Sequence, residues 1–462
     1  MRGWAAEIDL PVLLERLEAA RQRHRVAGFA LALADTGGAR YAGGGGLADR
    51  ATARAVDADT LWRVGSVTKV FTAMATMVAA RRHGFTLDTP LRELVPDPPV
   101  ANPWEATDPV RVVHLLEHTA GLLDLSKREF DSSDPAPLSL AQAFALNPGS
   151  RTLQWPPGRH FSYSNTGPGL AALVIETRDG RPYEAFVTAE VLRPLGMAAS
   201  GFAAEDPAAG RLAQGYGPDG VTPLPYWHVL YRAFGGLNAT TQDMARFLHW
   251  MLVPATAIVL TPEEFTRLQT PESTLSARAG LRHGYAKGLY EYVRDGRVWL
   301  GHGGDADGTL ARVGWWREGG MGYFLAINAF KPEAIEEMQG IVEAALTEGA
   351  PPASPPPVAV VDSTELDALT GCYVKLTQRF AWGDEEGEPV LTLRRDGDHL
   401  VAIDALGASQ PLLPVSPRLF CRAGDPVATS AIVSDREGNL VLQGVPGNLQ
   451  RRSRDAEGRC VR

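Results

Sequence analysis

Strand-forming text stands at both ends of the first 350 residues, and helix-forming text fills the interval, so distant parts of the chain must meet in one sheet. Residues 26–34 and 40–46 are apolar runs on either side of the turn Asp35-Thr36-Gly37-Gly38. Residues 298–301, 310–316 and 322–328 are short apolar or alternating runs, and Glu318-Gly319-Gly320 joins the last two. Between them the text is proline-punctuated and helical, which predicts a helical subdomain over about 84–235 carried as an insertion between the sheet's two halves. Helices are predicted at 10–23 (Leu13, Leu14, Leu17 and Ala20 on one stripe), 66–82, 167–177, 183–192, 241–252 with Thr240 or Thr241 as cap, and 332–347 with proline in its first turn. The glycines Gly43 to Gly46 lack the Gly-Lys-Ser/Thr ending of a phosphate loop and read as a crowded strand.

Residues 351–357 form a proline-rich linker that closes a first domain at 1–350. Beyond it the runs at 390–394, 400–406, 431–434 and 440–445 are strand-like, with Asp396-Gly397 and Glu437-Gly438-Asn439 as hairpin signals. No long helical stripe accompanies them, so 358–462 is predicted to be a separate all-β barrel or sandwich.

Composition excludes several classes of function. A hydrophobic share of 45% and a charged share of 21% belong to a folded globular chain. The net charge of −9 offers no basic footprint for nucleic acid or an anionic membrane. No run approaches the roughly 18 apolar residues of a spanning helix. Glu7, Asp9, Glu15 and Glu18 break up the first 20 residues, which therefore do not read as a secretory leader. The expected location is the cytoplasm, or outside it after removal of a leader absent from this sequence. Cys372, Cys421 and Cys460 are odd in number, show no metal-ligand spacing, and are expected to be reduced.

The chemistry-bearing stretch is Gly65-Ser66-Val67-Thr68-Lys69, at the head of an Ala- and Met-rich helix. Three residues is one helical step, so both side chains share a face. A desolvated lysine can take the proton that a hydroxyl must lose to become a nucleophile. The chain has only five lysines, which gives this placement weight. Tyr163-Ser164-Asn165 follows a loop-forming stretch and precedes a helix; its phenol suits a proton relay, and its amide suits holding Lys69 and a substrate. Gly301-His302-Gly303-Gly304-Asp305 ends a predicted strand, where the glycines admit close approach to the backbone. The amide N–H groups of Ser66 and Asp305 are then candidates to cradle an oxyanion, with Gly303 and Gly304 beside them.

Taken in order, these three motifs resemble those of the penicillin-recognising serine hydrolase superfamily, which includes class C β-lactamases, DD-peptidases, D-aminopeptidases and family VIII carboxylesterases. The resemblance covers about residues 10–350. It includes Leu115-Leu116-Glu117-His118-Thr119-Ala120-Gly121-Leu122, Pro194-Leu195-Gly196-Met197 and Gly235-Gly236-Leu237-Asn238-Ala239-Thr240. It implies an α/β fold: a mostly antiparallel sheet flanked by helices with an inserted helical subdomain, and the active site at their junction. It also implies Ser66 as nucleophile, Lys69 as base, Tyr163 as relay, Asn165 and His302 at the substrate, no cofactor and no metal.

Many members carry Lys-Thr-Gly as the third motif, where the cation and hydroxyl hold a substrate carboxylate. Here His302-Gly303-Gly304 stands instead, followed by Asp305 and Asp307. A titrating imidazole and two acids disfavour a carboxylate-bearing substrate. The expectation is therefore a small neutral ester or amide as substrate, carboxylesterase-like, with D-aminopeptidase, DD-peptidase or class C-like β-lactamase activity as alternatives. Two other classes remain: a zinc hydrolase on His114-Leu115-Leu116-Glu117-His118, and a sensor that is acylated at Ser66 and never turns over.

Overall fold

The structure, a computed structural model, describes residues 8–134, 138–202, 210–253, 258–351, 353–380, 391–445 and 447–452. The two ends of the first 350 residues do meet. Seven antiparallel strands run in the spatial order Arg54–Ala55, Gly38–Asp49, Gly28–Asp35, Met321–Ile327, Thr309–Trp316, Arg297–Ala306 and Tyr290–Arg294. The join between the halves is the pairing of Gly28–Asp35 with Met321–Ile327, in register from Phe29↔Ile327 to Asp35↔Met321.

Alternation along that central strand explains how both its faces are covered. Phe29, Leu31 and Leu33 point to one side, where they pack with Tyr323, Leu325 and Ile327 beneath Leu10–Arg23 and Pro332–Leu346. Ala30, Ala32 and Ala34 point to the other, and their small side chains let Thr241–Leu252 lie close, with Met244 and Phe247 buried against the sheet. A one-residue slip would exchange the bulky and small faces, so register is strongly specified.

The helix Thr68–His83 is buried along its whole first part, from Thr68 to Ala80. A helix apolar on every side belongs inside the protein, and this one lies between the sheet and the helical part of the chain. It ends in a left-handed Gly84 cap after Arg81 and Arg82, cations that suit a helix C-terminus.

Beyond the short helix Ser363–Leu369, eight antiparallel strands close into a barrel. It runs from Gly371–Lys375 to Leu449–Arg452, and its first and last strands pair from Cys372↔Arg452 to Lys375↔Leu449. Leu366, Tyr373, Leu400, Phe420, Ile432 and Leu442 fill its core.

Several expectations change in detail. The serine segment is a 3-10 turn, Gly65–Val67, that leads into the helix. Residues 183–192 are α only over Tyr183–Val187 and widen into a π turn at Thr188–Leu192. The third-motif strand does not stop at Gly301 but continues to Ala306, so His302 to Asp305 lie within it. Cys372 is in a disulfide, contrary to the reduced state expected of all three cysteines, while Cys421 is free and buried; Cys460 lies outside the described residues. Among the described residues no helix is long and apolar enough to cross a membrane.

Candidate active site

Two close backbone approaches place Ser66. Gly65 has φ +52°, and a Cβ there would stand 2.8 Å from the Asp305 amide nitrogen. A Cβ on Gly304 would collide with the Val64 carbonyl and come 3.1 Å from the Ser66 nitrogen. The serine turn and the third-motif strand therefore touch through bare backbone, and the amides of Ser66 and Asp305 flank that contact. The turn is also fastened from behind. Val64 N–H donates to Leu237 O, Leu237 N–H donates to the Thr68 hydroxyl, and Leu61–Arg63 pairs with Asn238–Thr240.

Lys69 Nζ lies 2.8 Å from Ser66 Oγ and donates to Phe234 O at 2.8 Å. Its side chain is 1% exposed, and burial pushes the ammonium well below the ordinary lysine range. Nearby Asp124 and Asp305 act to raise it and Arg379 to lower it, each by less than burial does. The Tyr163 hydroxyl donates to Ser66 Oγ at 3.0 Å. Burial raises the phenol above its usual range, so Tyr163 stays a proton donor.

Contrary to the expectation from sequence, the Asn165 amide bonds Asp124 and not Lys69. Its Nδ2 donates to Asp124 Oδ2 at 3.1 Å and its backbone N–H to Asp124 Oδ1 at 2.7 Å. Asn165 Oδ1 is buried without a hydrogen-bond partner and lines the cleft beside Ser66, an acceptor left open. His302 lies in the same cleft, where the Tyr285 hydroxyl and its own Nε2 are 2.8 Å apart and its Nδ1 meets Gly303 O. Burial holds His302 down at about 3, so it is a neutral imidazole and no replacement for a lysine cation.

The cleft encloses about 420 Å³. Asp131, Asp305 and Asp307 line it, but so do Arg63, Arg312 and Arg379, and Arg312 pairs with Asp305 Oδ1 at 3.0 Å. The acids are thus offset by an equal number of arginines, and the two acids after the third motif do not by themselves set the sign of the field.

Sequence reasoning missed Asp124 and Arg379. Asp124 follows the Gly121 turn with only one acid's worth of signal, and Arg379 lies in the barrel, far from any motif. Residues 376–380, which follow the first barrel strand and carry Arg379, reach back over the tyrosine loop. Asp124 N–H donates to Arg379 O at 2.7 Å, Ser162 Oγ to Gln378 O at 2.9 Å, and Thr377 Oγ1 to Phe161 O at 3.1 Å.

His114 and His118 do not form a ligand pair. The helix Val112–Leu116 ends before His118, which takes φ +56° and packs its ring 4.2 Å from Tyr163 and 4.5 Å from Tyr285. His114 Nδ1 accepts from Arg111 N–H, and Glu117 is bound to Lys287 at 2.7 Å with both side chains fully buried. Among the described residues no three His, Cys, Asp or Glu side chains are grouped to hold a metal ion.

The family model for Beta-lactamase matches residues 14–347. Penicillin-binding protein 4 of Amycolatopsis lactamdurans is 26% identical over 368 residues, 75% of this chain and 94% of that protein. Esterase EstB of Burkholderia gladioli is 33% identical over 218 residues, 44% of this chain and 55% of that protein. In fold, the octameric penicillin-binding protein homologue from Pyrococcus abyssi matches 96% of this chain and 100% of its own, with a TM-score of 0.62 at 21% identity.

Proposed function

The chain belongs to the beta-lactamase family, and on that premise we propose that it hydrolyses small esters, and more slowly amides, through an acyl-enzyme on Ser66. The observation that carries this reading is the pair of contacts on Ser66 Oγ: a buried amine at 2.8 Å and a protonated phenol at 3.0 Å. Lys69 takes the hydroxyl proton as Ser66 attacks the substrate carbonyl. The Ser66 and Asp305 amides receive the developing oxyanion. Tyr163 passes a proton to the leaving group, and water then releases the acyl group by the reverse sequence.

Neutral His302 in place of a cation supports an uncharged ester over a substrate that must be gripped by a carboxylate. The open Asn165 Oδ1 supports a second reading, in which the substrate presents an N–H, as a D-amino acid amide or a β-lactam side chain does. In this account the first 350 residues form the hydrolase domain, with the helical subdomain over about 84–235, and 358–462 the barrel domain. Ser66→Ala should abolish release of p-nitrophenol from a p-nitrophenyl ester while the melting temperature stays put. Turnover at the native rate in that variant would overturn the assignment. A panel of short esters, D-amino acid amides and a cephalosporin ranks the substrate classes.

A further inference from the structure

We infer that Arg379, supplied by the barrel, is a positioning residue that adds to the effect of burial and keeps Lys69 a free base by neutralising Asp124. The inference rests on the proposed role of Lys69 as base.

Asp124 is a carboxylate with no exposed side chain, bonded to Asn165 at the wall of the cleft, while the Arg379 side chain is 44% exposed. Three of its four donors come from its own neighbourhood: Leu125 N–H, Asn165 N–H and Asn165 Nδ2. These are neutral and leave its charge intact. Arg379 Nε, at 2.9 Å from Oδ2, is the cation. A buried carboxylate beside an ammonium holds the proton on it, so an uncompensated Asp124 would keep Lys69 charged and unable to act as base. Arg379 also stacks on the ring that Lys69 stacks on: its guanidinium carbon lies 4.7 Å from the Tyr163 centroid, and Lys69 Nζ lies 4.9 Å from it. A second cation on the same ring further opposes protonation of the amine.

Other groups face Lys69 from the surrounding elements. Asp305 comes from the third-motif strand and favours the ammonium, although its own side chain is turned to Arg312. His118 and His302 are buried and neutral, and Tyr163 is a neutral phenol. On top of burial, the balance of charges near Lys69 therefore turns on Asp124 against Arg379. The hydrogen bonds from Asp124, Ser162 and Thr377 across the loop show that this placement is built by the fold rather than left to a free side chain.

The test is the pH profile of kcat/KM with a neutral p-nitrophenyl ester, on the full chain. Removing the cation in Arg379→Ala should move the acid limb up by about 1 pH unit or more, with a matching loss of rate below the limb. Arg379→Lys should restore most of the shift, and Asp124→Asn combined with Arg379→Ala should return the limb close to its native position. If Arg379→Ala instead raises KM with the limb unmoved, the arginine contacts substrate and the inference fails. If it moves neither, the inference also fails. Melting temperatures of each variant establish that the fold is retained. The base assignment fails separately, by a native profile retained in Lys69→Ala.

Discussion

The central sheet and the barrel solve the same problem, how to bury one set of β side chains, in opposite ways. The sheet is covered on both faces by helices, so its middle strand is buried at almost every position and its register is fixed by size, large residues to one side and alanines to the other. The barrel closes on itself around a small core and leaves Arg394, Arg395 and Asp396 in solvent. What differs is where chemistry can be carried. The sheet contributes backbone: a strand pressed against the serine turn. The barrel contributes none of the serine, lysine or tyrosine set, yet residues 376–380, which follow its first strand, reach Asp124 in the helical part of the chain.

That contrast can be broken by substitution. Lys69→Ala removes the proposed base and should lower kcat by about 10²- to 10⁴-fold with little change in KM, measured on the ester. Loss confined to KM would mean that the lysine binds and does not transfer a proton. Lys287→Met leaves Glu117 buried without its cation, held by the Glu272 and Ser273 N–H groups and the Ser273 hydroxyl alone, and should cost about 3–5 kcal/mol in denaturant unfolding. At the junction, Gln443 of the barrel accepts from Ser276 N–H and donates to Arg159 O, so Gln443→Ala should cost about 1–3 kcal/mol in the same assay. A null result there would mean the barrel is held by other contacts. Asp305→Asn, where the exposed carboxylate meets Arg312, should change KM by less than about fivefold, since solvent screens that pair.

Acid should act on both regions. His114 and His302 are held at about 3 and His160, beside barrel residue Gln443, at about 4, each chiefly by burial. Their folded values lie below the roughly 6.5 of an unfolded histidine, so between those limits the unfolded chain binds more protons. Stability is then full above about pH 6.5 and falls as pH drops toward 4. A melting temperature flat across that window would contradict the burial of these rings.

The parts of this molecule that were legible in the sequence are those with local periodicity. Residues 10–23 and 241–252 show a stripe, and Ser66 with Lys69 shows one helical step. The third motif was found by its glycines, but its strand was cut short because Gly301 to Gly304 carry no side-chain pattern for a strand to display. Barrel strands Gly371–Lys375, Ser409–Pro414 and Leu419–Arg422 are as long as the barrel strands legible in the sequence, but weak turn signals bound them. Arg379 and Asp124 were beyond reach for another reason. Each is ordinary in its own stretch, and their meaning lies in a contact between residues 255 positions apart. The resemblance to a known family pointed to the serine site and was silent about the loop that covers it.

The bare contact between Gly65 and Gly304 has a bearing on how such a chain can change. Because backbone meets backbone there, the two amide donors keep their spacing whatever side chains line the cleft. Substitutions at Arg63, Asp131 or Arg312 can retune which molecule enters without moving the two amides proposed to receive the negative charge of the reaction. Specificity and reactivity are inherited on separate terms: the rim is free to drift, while a single methyl group added at either glycine would be enough to part the two halves of the reaction centre.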